Sequence, residues 1–190
     1  SLNNLSHKIQ SASQIYKKLL DKKLITIIPE NEICNTDLLN IRNITLNKEQ
    51  SDVFNIIKSS IKQKKYSPYL LHGITGSGKT EIYIQLANEI IKQNKTMLML
   101  VPEISLTPQL SQKFIDTFGP KIGLWHSKLT KSEKYKTWKN IHSGQYSIII
   151  GARSAIFCPI INLGLIIIDE EHDSSYKQET STFKYHARDV

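Results

Sequence analysis

The eight residues Gly73-Ile74-Thr75-Gly76-Ser77-Gly78-Lys79-Thr80 satisfy the spacing G-x-x-x-x-G-K-[ST] at every fixed position. Each residue type has a physical reason. Glycines at 73, 76 and 78 let the backbone take positive φ and approach a ligand closely, so that several N–H groups converge on phosphate oxygens. Lys79 adds a mobile point charge suited to β and γ phosphates, and the Thr80 hydroxyl is a hard oxygen suited to Mg²⁺. The chemistry this predicts is binding of a nucleoside triphosphate.

A second cluster follows 90 residues after Lys79. Leu163-Gly164-Leu165-Ile166-Ile167-Ile168 runs into Asp169-Glu170-Glu171-His172-Asp173 and reads as a buried strand ending in acids. Asp169 is then placed to hold Mg²⁺ opposite Thr80, and Glu170 to orient and deprotonate an attacking water. The string Asp169-Glu170-Glu171-His172 is far more specific than an acid pair. His172 reads either as a γ-phosphate sensor or as a bridge to DNA.

These groups need a scaffold that brings them together. Strands are expected at Tyr69 to His72, Met97 to Val101, Ile122 to Trp125, Ser147 to Ile150 and Leu165 to Ile168. Helices fit between them at Lys48 to Lys62, Thr80 to Lys92, Thr107 to Phe118 and Lys131 to His142. Alternation of this kind predicts an α/β fold with a parallel sheet and helices on both faces. Ligands in such sheets sit at the carboxyl ends of the strands, where each motif falls. Thr80 then opens a helix whose positive end faces the phosphates.

Residues 1–45 differ from the rest. A helix at Ser6 to Leu20, a basic turn and a strand at Leu24 to Ile28 match the end of a winged helix, followed by the polar linker Asn31 to Asn43. The expected organisation is a partial winged-helix remnant and linker at 1–45, with a helix packed on the main body as the alternative, then a nucleotide-binding lobe at 46–190. With Ser1 first and Val190 inside a charged stretch, the chain reads as a piece of a longer protein.

The net charge of +8 favours a polyanionic partner. Lys121 to Asn140 holds six Lys and one Glu, a pattern equally suited to a nucleic-acid face and to a solvated lysine-rich surface. Against 22 Lys there are three Arg, at 42, 153 and 188, which hints that the planar guanidinium fork is wanted there. Cys34 and Cys158 lack ligand spacing and read as ordinary thiols. No apolar run spans a bilayer and no signal-peptide stretch opens the chain, so a cytoplasmic, nucleoid-associated protein without a membrane partner is expected. An L-S-G-G-Q signature of transporter ATPases does not occur between the two motifs. A binding module without turnover would not need Lys79, Asp169 and Glu170 together.

Taken with Leu71-His72-Gly73 through Glu81, the strings Val101 through Gln109, His126-Ser127, Gly151 through Phe157, Ile168 through Gln178 and Tyr185 through Asp189 resemble the primosomal protein N-prime family. These are the replication-restart helicases of bacteria, DEEH-type members of helicase superfamily 2. The resemblance covers nearly all of residues 46–190 and implies a RecA-like P-loop lobe with ATP and Mg²⁺ as cofactors. It implies 3′ to 5′ translocation on single-stranded and forked DNA, unwinding of stalled forks and primosome assembly, with single-strand-binding protein and other primosome proteins as partners.

Carried over by position, Gln50 in Leu46-Asn47-Lys48-Glu49-Gln50 matches the adenine-reading glutamine, although a helix-capping role fits it as well. The segment from Pro102 through Thr107 to Pro108 matches a DNA-backbone motif, as do Arg153, a phosphate clamp, and Ser154. The loop from Asp173 to His186, with Tyr176, Phe183 and Tyr185, matches an aromatic-rich loop that couples DNA to hydrolysis, followed by Arg188. Its rings could stack on bases or pack against the sheet. Lys134 and Lys184 stand where members often carry Arg. The resemblance also places a second lobe with an arginine finger, worth roughly 10³–10⁵ in rate, and a cysteine-rich Zn²⁺ segment outside this chain. On its own the fragment is therefore expected to bind ATP·Mg²⁺ weakly and to be nearly inactive.

Overall fold

Three aliphatic runs, Thr96–Leu100, Ile148–Gly151 and Leu163–Ile168, build the sheet of this computed structural model, the first two of them buried on both faces. The structure describes residues 45–63, 66–74, 76–102, 108–179 and 182–190. Among them the elements run α1 (Lys48–Gln63), α2 (Lys79–Lys92), β1 (Thr96–Leu100), α3 (Pro108–Phe118), β2 (Ile122–Trp125), α4 (Lys131–His142), β3 (Ile148–Gly151) and β4 (Leu163–Ile168). A two-stranded antiparallel ribbon of β5 (Lys177–Gln178) and β6 (Tyr185–His186) closes the chain. The expected winged-helix remnant, its linker and Arg42 lie outside the described residues.

All pairs in the main sheet are parallel, in the order β2-β3-β1-β4, with Met97 opposite Ile148 and Leu100 opposite Ile168. Alternate residues of β1 go to opposite faces, as strand geometry requires. Met97, Met99 and Val101 meet Tyr83, Ile84, Ala87 and Ile90 of α2 and Phe114 and Phe118 of α3. On the other face Leu98 and Leu100 meet Ile141 of α4, Ala155 and Cys158 after β3, and Tyr176 and Ala187 of the C-terminal segment. The RecA-like α/β expectation therefore stands, with helices on both faces.

One expected strand does not form. Tyr69 to His72 runs without strand pairing, with Leu70 78% exposed, although Leu71 still packs against the core. The reason lies in β4, which pairs only with β1 and forms an edge of the described sheet. Aliphatic β4 is for the same reason only half buried, with Ile166 52% exposed, where a buried strand was expected.

Local chemistry sets the loops that matter. Gly151 ends β3 where a Cβ would lie 2.6 Å from the Trp125 carbonyl oxygen and 2.7 Å from the Ala155 Cβ, so only glycine lets the turn at Arg153–Phe157 fold back on the strand tip. Thr130 and Glu133 close a capping box at the start of α4. Across the lobe, Glu89 of α2 pairs with Lys58 of α1 at 3.2 Å.

Candidate functional site

The phosphate loop is the turn between the unpaired stretch and α2. Gly76 and Gly78 take φ of 82° and 84°, the left-handed region that glycine enters without a Cβ penalty. Gly78 is the N-cap of α2, and no side chain caps it. The helix start is thus left to a ligand, and its partial positive charge favours an anion. The Lys79 ammonium donates to the Gly73 carbonyl at 2.7 Å and to the Ile74 carbonyl at 3.4 Å, folded over its own loop. Thr75 lies outside the described residues. Gly73, Ile74, Ser77 and Thr80 complete the loop, with the Ser77 N–H donating to the Ile74 carbonyl at 3.1 Å.

Gln50 caps its own helix and also reaches the phosphate loop. It exchanges hydrogen bonds with Asn47, N–H to Oδ1 at 2.8 Å and Oε1 from the Asn47 N–H at 3.0 Å, which caps α1. Its Nε2 then donates to the Ser77 carbonyl at 3.0 Å. A Cβ on residue 78 would lie 2.3 Å from that nitrogen, so Gly78 makes room for α1 to touch the phosphate loop.

At the tip of β4 the Asp169 N–H continues the ladder to the Leu100 carbonyl at 2.9 Å. Glu170 takes φ of 47°, a left-handed conformation costing a non-glycine residue about 1–2 kcal/mol. Strain of that kind gathers at functional sites. Here it turns the exposed Glu170 away from the strand direction, and His172 Nε2 sits 3.6 Å from its carboxylate. Burial raises the Asp169 pKa above the ordinary carboxylate range, while the Tyr83 hydrogen bond and the charge of Lys79 pull it back. Glu171 faces Arg188, 3.2 Å away.

Two tyrosines that the sequence reading did not assign to this site hold Asp169. Tyr83 donates to its Oδ1 at 3.2 Å, and Tyr176 to its main-chain carbonyl at 2.6 Å. A signal existed for the first: a tyrosine within an apolar helix face needs an acceptor for its hydroxyl.

The expected DNA-contacting residues are placed unequally. Phe183 is 81% exposed, and Tyr185 packs edge-on against Phe157 with centroids 5.4 Å apart. Tyr176 is fully buried, so its ring is withheld from base stacking; it fills the second core cluster and spends its hydroxyl on Asp169. Arg153 lies over the Tyr185 ring at 5.7 Å and donates to the carbonyls of Ser175, at 3.1 Å, and Lys177. Its Nη1 is thus engaged by the protein's own backbone. Ser154, exposed, accepts from the Trp125 indole at 3.2 Å. Pro102 is buried, Thr107 lies outside the described residues, and Arg188 also pairs with Asp189 at 3.6 Å. On α4, Tyr135 is 70% exposed within the basic stretch. Cys158 is buried, which pushes its thiol up to about 12 and leaves it unreactive at neutral pH.

The donor set fits a magnesium nucleotide. Among the described residues no three His, Cys, Asp or Glu side chains gather around a metal position. Mg²⁺ does not need such a cage, since one carboxylate with a hydroxyl, phosphates and waters suffices. Thr80 and Asp169 are the residues that would supply those two protein oxygens. Among the described residues no helix is long and apolar enough to cross a membrane.

Residues 43–188 match the family described as Type III restriction enzyme, res subunit. The chain is 51% identical over 145 residues to the replication restart protein PriA of Chlamydia pneumoniae, covering 76% of this chain and 19% of that protein. With its Bacillus subtilis (strain 168) counterpart it shares 48% over 147 residues, 77% and 18% of the two chains. With that of Haemophilus influenzae it shares 44% over 192 residues, 99% and 26%. The chain thus spans about a fifth to a quarter of the length of these curated relatives. By the match over residues 43–188, the chain belongs to the Type III restriction enzyme, res subunit family, as an α/β lobe of the helicase type.

Proposed function

We propose that this lobe carries the ATP-binding half-site of a DNA helicase that moves 3′ to 5′, unwinds stalled forks and supports primosome assembly in replication restart. The observation that carries the reading is the hydrogen bond from Tyr83 to Asp169, which ties the helix after the phosphate loop to the acid strand across 86 residues. Likeness to replication restart proteins supports the biological setting.

In this reading Lys79 binds the β and γ phosphates, and the loop amides between Gly73 and Thr80 receive their oxygens. Gln50, anchored on Ser77, contacts the adenine edge. Thr80 and Asp169 hold Mg²⁺, which when bound neutralises charge on the phosphates. Glu170 orients the attacking water and takes its proton, with Glu171 and His172 completing the segment beside it. DNA lies along the segments after the strand tips, with Phe183 and Tyr185 offering rings and Pro102, Thr107 and Ser154 lining the path. Arg153, Tyr176 and Arg188 serve from behind, holding the segment that presents those rings. Single-strand-binding protein and other primosome proteins are the partners this role calls for, in the cytoplasm at the nucleoid. Zn²⁺ belongs to a cysteine-rich segment of the full-length protein.

The test is strand displacement by the full-length protein on forks with a single 3′ or 5′ arm. Displacement is expected only where the protein can move 3′ to 5′, and the opposite polarity contradicts the proposal. The isolated chain of residues 1–190 is expected to hydrolyse ATP slowly and unwind nothing, because an arginine finger from another lobe is worth roughly 10³–10⁵ in rate.

A further inference from the structure

Asp169 does not stand alone at its strand tip. Tyr83 lies one helical turn after Lys79, so α2 carries the phosphate-binding amine and this phenol along neighbouring positions of one face. Its ring is 7% exposed and packs in the core cluster that includes Ala87, Met99 and Ile167, a setting that phenylalanine would fill equally well. The hydroxyl is what the setting does not require. The phenol donates to Oδ1 of Asp169 at 3.2 Å.

We propose that Tyr83 is a positioning residue, which fixes the orientation of the Asp169 carboxylate for the Mg²⁺ of the bound nucleotide. The inference rests on the nucleotide reading given above. A carboxylate on a strand tip can rotate about two side-chain bonds, and an ion arriving with the nucleotide must then order it. Groups that hold a ligand from behind remove that cost and typically change metal affinity 10–100-fold when lost. Tyr83 holds Asp169 before anything binds. Because it belongs to the helix that starts at the phosphate loop, it also registers the acid against that loop.

The experiment is equilibrium binding of a fluorescent ATP analogue to the full-length protein, titrated with Mg²⁺ and repeated in EDTA, for wild type and Tyr83→Phe. The half-saturating Mg²⁺ concentration is expected to rise about tenfold, in the range for loss of a residue behind a metal ligand. Binding in EDTA and the melting temperature should change little, since the ring is retained. In an Asp169→Asn background, Tyr83→Phe should add no further shift, because the two residues act as one unit. Superimposable Mg²⁺ curves for wild type and variant would overturn the proposal, as would equal losses with and without Mg²⁺, which would make Tyr83 a support of α2 alone. A wild-type protein whose nucleotide binding ignored Mg²⁺ would overturn the nucleotide reading itself, and the proposal with it.

Discussion

Two helices of this lobe begin in opposite ways. At the start of α4 the Thr130 hydroxyl accepts from the Glu133 N–H, while the Glu133 carboxylate accepts from the Thr130 N–H at 2.9 Å, so the helix satisfies its own first turn. At the start of α2 a left-handed glycine stands in the cap position and no side chain reaches back. The same backbone problem, orphan N–H groups at a helix start, is solved within the chain in one case and left to a ligand in the other. A helix with glycine in the cap position gives up only about a few tenths of a kcal/mol against one capped by a side chain, and where a glycine loop and a lysine adjoin it the open start marks a binding site.

Substitutions at the two helix starts and at the acid tip should separate along this line. The largest effect is expected from Glu170→Gln, which leaves the strained backbone in place and removes the proton acceptor. ATP turnover of the full-length protein should fall by roughly 10²–10⁴, with nucleotide affinity kept. Turnover within threefold of wild type would remove Glu170 from the mechanism. Next comes Gly78→Ala, where φ of 84° and a Cβ position 2.3 Å from Gln50 Nε2 act together. The left-handed conformation alone costs about 1–2 kcal/mol, and displacement of Gln50 should add a loss of nucleotide affinity visible by calorimetry. The smallest effect is expected from Thr130→Ala, about 1 kcal/mol of stability by denaturant unfolding with nucleotide affinity unchanged. If Thr130→Ala weakened nucleotide binding as much as Gly78→Ala, the division between a structural and a functional helix start would fail.

The same contrast explains what could be read from the sequence. The phosphate loop was legible because its geometry is a property of adjacent residues: glycines that permit positive φ, then a lysine, then a hydroxyl. Helices α1 to α4 and the four paired strands were legible from periodicity, to within two residues at most ends. Tyr69 to His72 was not, because a strand needs a partner and local pattern cannot supply one. The places of Tyr176 and Arg153 were not legible for a related reason. An aromatic ring and a guanidinium in a polar loop look available until tertiary packing shows the first buried beneath Asp169 and the second engaged by carbonyls 22 and 24 residues away. The Nη1 of Arg153 grips backbone, a role its place in the sequence did not foretell. Tyr83 was not legible because its acceptor, Asp169, lies 86 residues further along the chain.

The central claim is that Gly73 to Thr80 and Asp169 to His172 form the ATP half-site of a DNA-driven motor. ATP hydrolysis by the full-length protein, titrated with forked DNA in wild type and Lys79→Ala, tests it most directly. Hydrolysis should rise with DNA in the wild type and vanish in the variant, while both bind the fork with equal affinity. Hydrolysis indifferent to DNA, or undiminished in Lys79→Ala, would contradict the account.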